Sequence, residues 1–120
     1  MRGWAFRIVP EGWERLSGGG LRRRDLDATA TVSEDALHGP LRDYVESRVE
    51  PGVEHQGPFA ANMEGAEEAL ILTVFRDGGA QRTIYARRGA VVGILTMKGP
   101  APANGDFIEI VRGASFGLTR

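Results

Sequence analysis

The sequence contains no cysteine among its 120 residues. This absence excludes a disulfide framework, a thiol nucleophile and a cysteine-ligated zinc site, and it is typical of proteins in a reducing compartment. Long apolar runs are missing as well, because the run 69–72 is far shorter than the roughly 20 residues that cross a bilayer as a helix. Polar residues interrupt the apolar ones after Met1, so there is no signal-peptide core. These features predict a cytoplasmic protein without a membrane span.

An excess of charge of one sign is also lacking, since 15 basic residues are balanced by 16 acidic ones and the net charge is -1. Such a balance does not favour binding to nucleic acid or to an anionic membrane. The composition that remains, 42% hydrophobic and 26% charged, is typical of a folded protein. At this length we expect a single domain that spans residues 1–120.

Apolar residues recur at helical spacing in two segments, 40–50 and 104–113. Pro40 suits the first position of the earlier helix, whose predicted inner face contains Leu41, Tyr44, Val45 and Val49. The segment 33–37 could add a preceding turn, because Ser33 can cap a helix and is followed by two acidic residues. The later helix is expected to bury a stripe formed by Phe107, Ile108, Ile110 and Val111.

Most other segments alternate between apolar and polar residues, as strands do. The strongest pair is 69–75 and 81–88, which flank Asp77-Gly78-Gly79, and Asp-Gly between such runs is a strong hairpin signal. Further extended segments are predicted at 4–9, 21–32, 90–97 and 115–116. The sequence therefore predicts an α+β fold, in which an antiparallel β-sheet meander is flanked by the helices 40–50 and 104–113.

In their order along the chain these features resemble the PsbP-like superfamily, which includes the Ran-binding Mog proteins and the DcrB-like bacterial proteins. The similar marks are the opening 6–13 with its Pro10-Glu11-Gly12-Trp13 turn, the helix 41–49, the meander 69–97 and the closing segment 107–116. The chain departs from that group in its shortness and in the glycine- and arginine-rich stretch 13–33. The resemblance implies an α/β/α sandwich with a mainly non-catalytic role, since members serve as photosystem subunits, partners of small GTPases and chaperones of secreted toxins.

Two sequence motifs resemble catalytic or phosphate-binding motifs but lack the neighbouring residues that those motifs require. Gly113-Ala114-Ser115-Phe116-Gly117 matches a nucleophile elbow, which requires a strand before the serine and a histidine after it. Ser115 instead follows a predicted helix, and only three residues remain after Gly117. The triple glycine 18–20 lacks the Gly-Lys-Ser/Thr ending of a phosphate-binding loop. Neither pattern predicts an active site.

The remaining titratable residues also form no recognisable constellation. His38 and His55 are the only histidines and lie in different segments, so a metal site would need them to converge with carboxylates such as Asp35 or Glu54. Glu67 and Glu68 are neighbours at the start of a strand, where adjacent side chains point to opposite faces and make a poor acid/base pair. We therefore predict no metal, no cofactor and no catalytic residue.

A binding role is the leading hypothesis, with a protein as the partner. Trp13 and Phe59 lie beside glycine-proline turns and are the aromatic residues expected to be exposed. Arg22, Arg23 and Arg24 form the surface best suited to an acidic partner, although solvated charges on a loop are the simpler interpretation. The leading hypothesis is a non-enzymatic adaptor or chaperone that recognises a secreted or membrane-targeted protein.

The alternative is a small-molecule-binding protein or a small cyclase-like or hydrolase-like enzyme, with a pocket on a curved sheet. Its pocket would use Tyr85, Arg87 or His55. Nucleic-acid binding through the three arginines is the least favoured interpretation, because the net charge is close to zero.

Overall fold

The computed structural model of the protein describes residues 3–76 and 79–117. Within these ranges it contains one large antiparallel sheet, one two-stranded sheet and two short α-helices. The strands are β1 (Gly3–Phe6), β2 (Glu14–Arg15), β3 (Leu21–Arg23), β4 (Ala28–Ala36), β5 (His55–Ala61), β6 (Glu68–Arg76), β7 (Gly79–Arg88), β8 (Val91–Gly99) and β9 (Ala114–Gly117). The helices are α1 (Leu41–Glu46) and α2 (Asp106–Arg112), and a 3-10 turn, Ala101–Ala103, precedes α2.

The large sheet has the order β2-β3-β4-β8-β7-β6-β5, so the predicted meander forms its centre. The hairpin of β6 and β7 is in continuous register from the pair Glu68 and Arg87 to the pair Arg76 and Gly79. Its predicted turn residues Asp77 and Gly78 lie outside the described residues. The predicted α+β fold, an antiparallel sheet flanked by helices, is confirmed.

Three local predictions differ from the structure. The segment 33–37 is not a helical turn, because residues up to Ala36 continue β4 and pair with β8 in unbroken register. The extended stretch 21–32 is two strands, joined by a turn in which Asp27 has a positive φ of 52°. The first strand ends at Phe6 rather than at residue 9, and Ile8 is 70% exposed. Long-range strand pairing outweighed the local capping and alternation signals at these places.

One face of the large sheet, which we call the α1 face, packs against α1. The sheet contributes Leu70, Leu72, Tyr85 and Val92 to this core. Leu41 and Val45 of α1 are almost completely buried against them. The helix is shorter than predicted, and Tyr44 and Val49 pack only at the edge of this core.

The opposite face, which we call the α2 face, carries the larger core. Its strand residues include Ile84, Ala86, Leu95 and Met97, and α2 contributes Phe107 and Ile110. Val111 packs partly against this core, whereas Ile108 is 47% exposed, so the prediction of a buried Ile108 is wrong. The reason is helical geometry, since Ile108 follows Phe107 by about 100° and turns away from the sheet.

The small sheet of β1 and β9 lies on the α2 face. Trp4 and Phe116 face each other across this pair, with their ring centroids 5.0 Å apart. Phe116 packs over Gly93 of β8, where an added Cβ would lie 2.3 Å from the phenylalanine ring. Glycine at position 93 therefore allows β9 to pack tightly on the sheet.

Candidate functional site

The strand β5 forms one edge of the large sheet, and within the described ranges no strand pairs with its outer side. Its seven residues carry no acidic or basic group other than the imidazole of His55. A bulge between Gln56 and Phe59 interrupts its pairing with β6, and regular register resumes over Phe59, Ala60 and Ala61. Edge strands are usually protected by charged side chains, bulges or proline, and β5 has the last two but lacks strong charges.

Phe59 is the exposed aromatic residue of this edge. Its side chain is 61% exposed, as the sequence predicted, and its pairing partner is Ile71 on the α2 face. Gly57 precedes it with a φ of 101°, and an added Cβ there would lie 2.6 Å from the carbonyl oxygen of Ile71. The bulge thus depends on glycine, and it presents Phe59 beside a backbone edge with which no described strand pairs. Arg42 of α1 donates one long hydrogen bond of 3.5 Å to the carbonyl oxygen of Pro58 within the bulge.

Trp13 is buried, so the prediction that it is exposed is wrong. It is only 7% exposed, and its indole Nε1 donates a hydrogen bond to Asp106 Oδ2 over 2.8 Å. Arg23 Nη1 donates to the same carboxylate oxygen over 2.6 Å. Asp106 begins α2, so this shared carboxylate connects the helix to the β2-β3 end of the sheet. A buried indole N–H needs such an acceptor, and the sequence did not indicate which residue supplies it.

The three arginines do not act as one clamp. Arg23 also pairs with Asp25, and the hydrogen bond to that carboxylate, followed by the one to Asp106, raises the pKa of its guanidinium. Arg24 pairs with Glu14, and Arg22 is exposed on β3. The β3 strand is five strand positions from β5, about 24 Å at ordinary strand spacing, so the arginines and Phe59 belong to separate surfaces.

A polar cluster formed by Asp35, Tyr44 and Arg48 lies at the end of α1 and was not predicted from the sequence. Tyr44 donates its hydroxyl to Asp35 Oδ2 over 2.8 Å, and Arg48 Nη2 donates to the same oxygen over 2.9 Å. The guanidinium of Arg48 also lies 4.6 Å from the centre of the Tyr44 ring. The spacing of Tyr44 and Arg48 on one helical face was visible in the sequence, but the contribution of Asp35 from β4 was not.

This cluster shifts the acidity of two of its members. Burial, and then the hydrogen bond to Asp35, raise the pKa of Tyr44 from 10.0 to about 12. The hydrogen bond from Tyr44, and then that from the Ala36 amide, lower the pKa of Asp35. An open groove of about 410 Å³ adjoins the cluster and is also lined by His38, Asp43 and Ser47. The cluster connects the end of α1 to β4, and each of its three side chains is already hydrogen-bonded to another member.

The raised pKa of Tyr44 predicts an alkaline loss of stability. The unfolded chain ionises near pH 10.0 and the folded chain only near 12, so the stabilisation is fully present below pH 10 and is lost progressively up to 12. Tyr44→Phe is expected to be less stable at neutral pH but to lose less stability over that interval. Urea unfolding at pH 8, 10 and 11 measures both effects. Because burial also raises the pKa of Tyr85, part of the alkaline loss should remain in the variant. An unchanged alkaline slope would show that Tyr44 is not its source.

The three residues considered for a small-molecule pocket each contact other groups of the chain. Tyr85 is 7% exposed and its ring makes an edge contact with Tyr44, with centroids 6.0 Å apart. Arg87 pairs with both Glu67 and Glu68, so the two carboxylates share one guanidinium. His55, the first residue of the edge strand, has its Nδ1 3.2 Å from the carbonyl oxygen of Val53.

Over residues 3–76 and 79–117 no three His, Asp or Glu side chains are grouped so that they could hold a metal ion. In the same residues no helix has the length and hydropathy needed to cross a membrane.

The comparisons with known proteins support the fold. No family model matches the chain, and no curated protein matches it. A similar solved structure is that of LpqN, described as involved in cell envelope biogenesis of Mycobacterium tuberculosis. The two are 16% identical with a TM-score of 0.57, and the alignment covers 95% of this chain and 83% of LpqN. At this identity the likeness establishes a shared fold alone. It is compatible with the PsbP-like resemblance, while membership of that superfamily and a cytoplasmic location stay predictions.

Proposed function

We propose that the chain is a non-enzymatic protein-binding domain of the adaptor type, whose partner contributes an extended segment that pairs with β5. The observation that carries this proposal is an edge strand that has no acidic, lysine or arginine side chain and exposes Phe59. Strand addition uses the unpaired backbone groups of an edge for affinity and side chains on alternate positions for specificity.

The geometry of β5 determines how such a segment would bind. The bulge limits regular pairing to Phe59, Ala60 and Ala61, so backbone hydrogen bonds alone supply little affinity. Complete burial of a phenylalanine side chain contributes about 1.5–3 kcal/mol, which makes Phe59 the main anchor. The partner segment is therefore expected to carry a large apolar residue opposite Phe59 and small or polar residues beside it.

The identity of the partner follows from analogy rather than from contacts. LpqN is described as involved in cell envelope biogenesis. That description fits an adaptor for a secreted or membrane-targeted protein, which is the partner class we propose for this chain. The PsbP-like resemblance supports the same class. Partner-contacting roles remain predictions for four residues, namely Trp13, Arg22, Arg23 and Arg24. The buried indole of Trp13 also has a structural role, because it donates a hydrogen bond to Asp106.

Binding of synthetic eight-residue peptides with alternating apolar and polar residues tests the proposal. We expect wild-type protein to bind such peptides with increased hydrogen-exchange protection, measured by NMR, at those amides of Phe59–Ala61 that point away from β6. Phe59→Ala should weaken binding at least about tenfold, because the main apolar anchor is lost. Ile108→Ala is the matched control, since Ile108 is a similarly exposed apolar residue on another element.

A second set of peptides separates strand addition from simple apolar contact. N-methylation at alternate positions removes backbone donors while it preserves the side chains, so it should abolish binding if the peptide pairs with β5. Equal affinity of methylated and unmethylated peptides, or equal affinity of the Phe59→Ala variant, would refute the proposal.

A further inference from the structure

Arg82 lies on the α2 face of the sheet and forms no ion pair with an acidic side chain of the described residues. In β7 its neighbours across the ladder are Thr73 of β6 and Met97 of β8. Its side chain is on the same face of β7 as those of Ala80 and Ile84, which are both buried. None of the ion pairs formed by the described residues includes Arg82.

One nitrogen of the guanidinium of the half-buried Arg82 is unsatisfied. Its Nε is buried and has no hydrogen-bond partner among residues 3–76 and 79–117, and Nη1 makes one long contact of 3.4 Å to the hydroxyl of Thr73. Buried arginines normally pair with a carboxylate or phosphate, because an unsatisfied charged donor costs more than a neutral one. A guanidinium in this state is well suited to receive an anion from outside the chain.

A second unsatisfied polar atom lies near the same end of the sheet. Asn104, just before α2, has a buried Oδ1 to which no group of the described part of the chain donates. This residue lines an open cleft of about 390 Å³, together with the apolar Phe75 and Ala80 and the charged Glu54 and Arg76. Arg82 itself lies outside this lining. Phe75 and Ala80 pair with each other across β6 and β7, two residues along from the pair Thr73 and Arg82 and on the same face. The two pairs are therefore about 7 Å apart along the strands. An arginine side chain is long enough to cover that distance.

We propose that this cleft binds a small aromatic carboxylate that also carries a hydroxyl or amine donor. The carboxylate would pair with Arg82 after a rotation of its guanidinium toward the cleft. The ring would pack beside Phe75 and Ala80, and the donor would bond to Asn104 Oδ1. Small-molecule sites typically have this combination of an apolar wall with a few convergent polar groups, and this volume lies within their usual range. The proposal does not depend on strand addition at β5.

Four probes separate the contributions. We expect 4-hydroxybenzoate to bind more tightly than benzoate, which lacks the donor, and than phenol, which lacks the carboxylate. Inorganic phosphate tests whether the site accepts any oxyanion, and it should bind most weakly because it makes no apolar contact. The affinities are measured by NMR titration, with shifts expected at the amides of Ala80, Arg82 and Asn104.

The variant Arg82→Met distinguishes a ligand site from a structural contact. Methionine keeps much of the apolar stem and removes the unsatisfied charge, so the melting temperature without ligand should be unchanged or higher. The affinity for 4-hydroxybenzoate should fall at least about tenfold, toward that for phenol. Asn104→Ala should abolish the preference for 4-hydroxybenzoate over benzoate. Arg112→Met is the control, because Arg112 is an exposed arginine on α2.

Three results would overturn the proposal. One is the absence of any shift at the named amides with 4-hydroxybenzoate at millimolar concentration. Another is equal affinity in the wild type and Arg82→Met, and the third is tighter binding of phosphate than of the aromatic acids. None of these results would bear on peptide binding at Phe59, so the two proposals are tested independently.

Discussion

Replacement of Phe107 by alanine is expected to lower the free energy of unfolding by about 3–5 kcal/mol. Phe107 is 2% exposed and is among the largest fully buried side chains of the protein. Together with Ile110 it packs α2 against the core on the α2 face, so its truncation removes apolar burial and leaves a cavity. Urea unfolding followed by circular dichroism measures the change.

The matched control is Ile108→Ala, one residue further along the same helix. Ile108 is 47% exposed, and alanine has the higher helix propensity, so this variant should change stability by less than about 1 kcal/mol. The two substitutions test the orientation of α2 directly. Comparable losses in both variants would contradict the packing of this helix.

Gly93→Ala is expected to destabilise the protein by about 3 kcal/mol, because it overpacks the contact between the two sheets. The added Cβ would lie 2.3–2.6 Å from three atoms of the Phe116 ring, which is itself 2% exposed and has little room to move. We expect the thermal unfolding midpoint to fall and the amides of β9 to lose hydrogen-exchange protection first.

A double substitution shows whether the contact with Phe116 is the cause. Phe116→Leu in the Gly93→Ala background should cost less than the sum of the two single changes, because the smaller side chain relieves the overlap. Gly18→Ala is the control, since no atom lies within 4 Å of a Cβ added there. Additive losses in the double variant would place the strain elsewhere.

The local sequence predicted the centre of the fold because its signals agree with one another. The segments 69–75 and 81–88 combine apolar alternation with a tight-turn sequence, and these local preferences favour the same hairpin that tertiary pairing forms. The segment 33–37 failed for the opposite reason. Its serine and acidic residues favour a helix start, but eight residue pairs with β8 hold β4 in extended conformation.

The candidate sites were predictable only where exposure follows from local chemistry. Phe59 lies at a glycine-proline bulge, where the backbone leaves the ladder and the side chain stays exposed. The same logic failed for Trp13, because Asp106, 93 residues later in the chain, accepts the hydrogen bond of its indole. The unsatisfied atoms of Arg82 and Asn104 could not be predicted, since an arginine within a strand and an asparagine that could cap a helix are ordinary until their neighbours are known.

By itself, the sequence determined the class of this protein: an α+β chain without cysteine, whose central strands alternate and whose helices each have one apolar face. Those properties depend on residues close together in the chain, so periodicity and turn chemistry are sufficient to reveal them. The tertiary structure alone decided which strand lies at the edge, that Gly93 must admit the ring of Phe116, and which polar atoms stay without partners. Each of these depends on side chains brought together from distant segments, where packing and hydrogen bonding are determined by the whole fold and not by the neighbouring sequence.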